Sequence, residues 1–146
     1  MIFKGGCRCG SIQYISTGVP SDIVVCHCRA CQQVSGSGFL PFITIAEEAI
    51  RYTKTTNWNN LKLSDVANRV FCSACGTPVS MVYGFESDRV HLTMSSTDPE
   101  SFKCELPIVI RHIYLREKAP WVVLPDDGSE RWGTSEFAHL IEKVAG

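Results

Sequence analysis

The chain has 146 residues, 45% of them hydrophobic, and a formal net charge of −1. That length fits one domain with a modest core. The near-neutral charge, with no basic block, argues against a nucleic-acid binder. No apolar run approaches the ~18–20 residues that span a bilayer, which excludes a transmembrane helix.

The opening Met-Ile-Phe-Lys-Gly-Gly-Cys lacks the charged and apolar regions of a signal peptide, so the expected location is cytoplasmic. Short strand candidates follow. Ile12 and Tyr14 alternate with polar neighbours, and residues 22–26 and 39–45 flank a cysteine-rich turn. Residues 29–34 of that turn are expected to form one helical turn carrying Cys31. Further strands are expected at 50–54, 60–64, 68–72, 78–83, 89–94 and 107–115, each rich in β-branched or aromatic residues and bounded by turn formers. A helix is expected at the C-terminus. Thr134 or Ser135 caps it, Glu136 suits its first turn, and Phe137, Leu140, Ile141 and Val144 form one apolar stripe. That stripe packs on its own sheet or serves a homodimer contact. The pattern predicts a mainly β, antiparallel fold, with residues 1–146 as a single domain.

Eight cysteines raise the choice between disulfides and metal. A reducing cytosol argues against disulfides. Cys7-x-Cys9, Cys26-x-Cys28-x-x-Cys31 and Cys72-x-x-Cys75 are spaced to aim sulfurs at one ion, as tetrahedral zinc requires. Seven thiolates divide as four plus three, giving two zinc ions per chain. Cys7, Cys9, Cys72 and Cys75 join distant segments and are expected to hold a closed structural zinc. Gly10 and Gly76 each follow a cysteine pair, where a knuckle turn needs positive φ.

Cys26, Cys28 and Cys31 lie close in sequence and are expected to hold a functional zinc with one open position. An exogenous thiolate, soft and anionic, suits that position and stays nucleophilic toward an aldehyde carbon. The competing reading closes the site with Cys104 or His27 and makes it structural.

These motifs are recognisable. Gly5–Tyr14 (GGCRCGSIQY), Cys26–Ser37 (CHCRACQQVSGS), Phe71–Pro78 (FCSACGTP) and Arg111–Trp121 (RHIYLREKAPW) resemble the glutathione-dependent formaldehyde-activating enzyme (GFA) family, also called the centromere protein V domain. The resemblance implies a β-tent, or Mss4-like, fold of antiparallel sheets, and the same division of cysteines between structural and functional zinc. It also implies a carbon–sulfur lyase that condenses formaldehyde with glutathione to S-hydroxymethylglutathione. The expected partners are therefore a small thiol such as glutathione and an aldehyde, with no nucleic acid and no membrane.

Other residues have two readings. His112 is placed by alternation on the face of Ile108 and Ile110, opposite Arg111 and Ile113. It is either a satisfied core histidine or a proton-transfer group in the pocket. Gln32, Ser35 and Ser37 either bind the ligand or serve turn chemistry. Phe39 and Trp121 read as core or pocket wall in preference to specific ligand contacts, and Arg111, Arg116 and Lys118 as a solvated face in preference to a group that attracts a ligand carboxylate. The alternatives to an enzyme are a thiol or zinc carrier and a protein-interaction module on the same fold. A zinc hydrolase is disfavoured by the absence of mixed His/carboxylate ligands.

Overall fold

The structure, a computed structural model, describes residues 1–136. The expected C-terminal stripe of Phe137, Leu140, Ile141 and Val144 lies outside the described residues. No described helix is long and apolar enough to cross a membrane.

Two sheets carry the chain. The smaller joins β1 (Phe3–Gly6), β2 (Ile12–Ser16) and β5 (Ile50–Thr55) in the order β1-β2-β5. Asn57, with φ 63°, then takes the chain round a corner into the larger sheet. That sheet contains β3 (Ile23–Cys26), β4 (Leu40–Ala46), β6 (Trp58–Leu61), β7 (Ala67–Cys72), β8 (Pro78–Tyr83), β9 (Arg89–Thr93), β10 (Val109–Ile113) and β11 (Glu130–Arg131). Its order is β11-β10-β3-β4-β9-β8-β7-β6. Among the described residues the one α-helix is α1, Arg29–Ser35.

The expectation of a wholly antiparallel fold is corrected at one edge. There β10 runs parallel to both β3 and β11. A parallel pair requires a long crossover, which the chain between β3 and β10 supplies.

Alternation sorts the large sheet into two faces. Ile23, Val25, Ile43, Ile45, Val79, Val90 and Leu92 point to one, where they pack with Phe3, Ile12 and Tyr14 of the small sheet. Tyr14 keeps its hydroxyl satisfied in this core by Ser96 Oγ at 2.8 Å. The other face carries Cys26, Leu40, Phe42 and Met81, and α1 brings Cys31 against them.

The predicted orientation of His112 is also corrected. A register shift between Val109 and Arg111 breaks simple alternation at Ile110. Val109 and His112 therefore both point to the core face, whereas Ile108 and Ile110 are exposed.

Candidate metal centres

The four-cysteine site is built by two similar turns. In the first, Gly10 donates its N–H to Cys7 O at 3.1 Å; in the second, Gly76 donates to Cys72 O at 2.8 Å. Both glycines have positive φ, 79° and 81°, as the sequence predicts for knuckles. These turns gather Cys7, Cys9, Cys72 and Cys75 so that their sulfurs all lie within 4.8 Å of one another. Cys9 Sγ lies 3.6 Å from Cys7 Sγ and 3.7 Å from Cys72 Sγ. A tetrahedral ion with zinc–sulfur bonds of about 2.3 Å separates its sulfurs by about 3.8 Å, so the spacing fits. All eight cysteines are free thiols.

Two hydroxyls complete this site and were missed from sequence. Ser11 Oγ lies 3.1 Å from Cys9 Sγ and 3.2 Å from Cys72 Sγ. Thr77 Oγ1 lies 3.3 Å from Cys75 Sγ and accepts from Arg8 N at 3.0 Å. The signal was the repeated Cys-Gly-Ser and Cys-Gly-Thr. Hydrogen bonds from the Thr77 hydroxyl and backbone pull the Cys75 thiol down to about 5.

The three-cysteine cluster sits on the other face of the large sheet. Cys26 ends β3, Cys28 caps α1 by accepting from Cys31 N at 3.4 Å, and Cys31 is fully buried in the first turn. Their sulfurs also lie within 4.8 Å of one another. Hydrogen bonds from Cys26 and Cys31 favour Cys28 as the thiolate and draw it to about 2. Its partners pay for this: Cys26 is raised well above the ordinary thiol value, first by its bond to Cys28. Cys31 is favoured by its bond from Cys26, but Cys28 and burial outweigh that and push it up to about 11. Three sulfurs this close cannot all ionise unaided, so a shared cation is the natural complement to the set.

Among the described residues no fourth Cys, His, Asp or Glu atom joins the cluster. Cys104 belongs to neither group. His27 turns away: its Nε2 lies 2.9 Å from His112 Nδ1, and His112 is paired in register with Val25 on the core face. The structure thus brings His112 to His27 and not to the cluster.

Gln32 and Ser35 lie on α1 and Ser37 just beyond it, and each is bonded within this turn region. Gln32 Nε2 donates to His27 O and to Glu117 O, both at 2.8 Å. Ser35 donates to Gln32 O at 3.2 Å, and Ser37 to Phe39 O at 2.7 Å. These bonds hold the turn that leaves the helix. Phe39 packs on the His27 ring, and Trp121 is 70% exposed.

A cavity of about 80 Å³ opens beside Cys26, walled by Val24, Phe42, Met81, Tyr83 and Ile113. Farther along it, His91 is held between Thr44 Oγ1 and Glu86 Oε1, each at 3.0 Å. Arg69, also missed from sequence, reaches the cluster from β7, and its Nη2 donates to Cys31 Sγ at 3.5 Å.

Fold and clusters together define a mainly β protein with one four-sulfur and one three-sulfur site, each able to hold a metal ion. Residues 2–116 match the glutathione-dependent formaldehyde-activating enzyme family, and the chain belongs to that family. An uncharacterized lyase of Schizosaccharomyces pombe is 26% identical over 81 residues, which are 56% of this chain and 58% of that protein. The chain thus spans little more than half the length of that relative. A crystal structure of a Rhodobacter sphaeroides protein shares the fold, with a TM-score of 0.55 at 16% identity, covering 88% of this chain and 98% of that one.

Proposed function

We propose that the protein is a zinc-dependent carbon–sulfur lyase-like enzyme that makes or breaks an adduct between a small thiol, such as glutathione, and formaldehyde or another aldehyde. The observation that carries this reading is a set of three convergent sulfurs beside a cavity, without a fourth protein ligand among the described residues. Cys26, Cys28 and Cys31 would hold the functional zinc, and Cys7, Cys9, Cys72 and Cys75 the structural one, within a β-tent domain. Bound there, zinc would supply a soft cationic centre that keeps a thiol deprotonated at neutral pH.

The protein's own groups have two tasks. The three thiolates fix the position of the incoming sulfur. Phe42, Met81 and Ile113 exclude water from the space beside Cys26. Proton exchange at the aldehyde oxygen falls to solvent at the cavity mouth, because His112 is bonded to His27 on the core face.

The test is metal content, glutathione binding and adduct-formation rate for wild type and Cys28→Ser. Two zinc ions in wild type and one in the variant, with binding and rate lost, is the expected result. Full binding and rate in the variant would end this reading. Saturable binding in wild type without a faster reaction would make the protein a thiol carrier.

A further inference from the structure

Arg69 is 9% exposed, yet its guanidinium has no carboxylate within ion-pair range among the described residues. Cys31 Sγ, at 3.5 Å, is the acceptor that meets it. The position is set by the sheet. Arg69 pairs with Met81 across β7 and β8, and Met81 packs with Cys26 and Cys31. On its other side Arg69 borders a cavity of about 140 Å³ walled by Val34, Leu40 and Phe42. A guanidinium stays charged in any folded protein, and burial is tolerated only where anionic charge compensates it. The cluster is the anion available.

Charge counting shows what this does. Three thiolates and a divalent cation sum to −1, so an incoming thiolate would raise the total to −2. With the guanidinium in contact the cluster starts neutral and ends at −1. Phe42 and Met81, packed against the cluster, screen that difference weakly, although Arg111 and Glu136 also line the cavity beside Cys26.

We propose that Arg69 sets the charge class of the fourth ligand, holding the three-cysteine site for an anionic thiolate in preference to a neutral nitrogen or oxygen donor. This deepens the thiol-binding reading above and rests on it. Arg69 acts through the ligand field of the site and through Cys31, as a positioning residue.

The test uses cobalt(II)-loaded protein, titrated separately with glutathione and with imidazole and followed by the sulfur-to-cobalt charge-transfer and d–d bands. Wild type should favour glutathione. Arg69→Met should lose about tenfold or more in glutathione affinity while imidazole affinity holds or rises, since one unscreened charge is worth at least that factor. Arg69→Lys, which keeps the charge without the planar fork, should retain most of the preference. A glutathione-to-imidazole ratio unchanged in Arg69→Met overturns the proposal, as does an equal loss of both ligands. Should Arg69→Met fail to load, the lysine variant decides: a ratio near wild type supports the charge role, and a collapsed ratio with metal retained overturns it. Wild type that binds no glutathione sinks the thiol-binding reading itself, whereas wild type that binds it with a charge-independent ratio sinks the Arg69 assignment alone.

Discussion

Cys26 and His27 are neighbours in the chain but face opposite sides of the large sheet. Cys26 joins Cys31 over Phe42 and Met81, while His27 bonds to His112, the partner of Val25 on the core face. The two chemistries are therefore separable. His112→Phe removes the partner of a fully buried imidazole and should cost about 1–3 kcal/mol of stability. Glutathione binding at the three-cysteine site should stay within a factor of two or so of wild type, because no ligand of that site is disturbed. Urea denaturation and glutathione titration on the same variant check both halves. Loss of binding without loss of stability would return His112 to the active centre.

The knuckle glycines offer a cleaner case. Gly76 has φ 81°, and a Cβ built there would meet nothing within 4 Å. Gly76→Ala therefore carries conformational strain with no steric clash, and should destabilise by about 1–2 kcal/mol. Gly76→Asn should cost less, since asparagine tolerates this region better. Thermal unfolding of the two variants measures the difference, and equal costs would show that the turn's geometry is not what limits it.

Much of this architecture was legible because it is local. Ile43 and Ile45 alternate with Phe42 and Thr44, so β4 announces itself, as do the paired cysteines with their glycines. The rest depended on distant partners. Phe3–Gly6 ends in two glycines and shows no period, yet pairs with β2 to form an edge strand. The parallel register of β10 against β3, and the irregularity that turns His112 inward, come from pairing across more than eighty positions, as the His27–His112 separation of 85 shows. Arg69 reads in isolation as an ordinary polar residue on a strand, and nothing local says that Cys31, 38 positions earlier, is its partner. The same holds in part for His91, whose partner Thr44 lies 47 positions away, while Glu86 is a near neighbour in the chain.

The two cysteine sites should fail differently. Cys9 and Cys72 are 63 positions apart, so an ion bound between them closes a long loop and joins the small sheet to β7. Cys72→Ser should leave the protein largely unfolded or strongly destabilised, by roughly 3 kcal/mol or more, in keeping with metal binding as folding free energy. Cys28→Ser, at the N-cap of α1 where a serine hydroxyl can also accept from Cys31 N–H, should keep native circular dichroism and lose one metal equivalent. Metal quantification with near-ultraviolet circular dichroism separates them. Equal unfolding by both would mean that the three-cysteine site is structural too.

His91 gives the protein a defined acid sensitivity. Burial, helped by the nearby charge of Arg89 and opposed by Glu136, lowers it from the ordinary 6.5 to about 4. The neutral ring then donates Nε2–H to Glu86 and accepts from the Thr44 hydroxyl at Nδ1. Because the folded value lies below the unfolded one, the unfolded chain binds the proton first as pH falls. The contribution is complete above pH 6.5 and is lost progressively as pH drops toward about 4. At pH 5 the loss from this group alone is roughly 2 kcal/mol. Glu86 works the other way, since burial raises its value and the folded state gains when it protonates, so the net curve flattens at the acid end. His91→Gln keeps a donor and an acceptor on the side chain without a titrating ring. It should therefore reduce the fall in urea midpoint between pH 7 and pH 5. A variant whose midpoint falls as steeply as wild type would show that His91 does not supply the acid sensitivity.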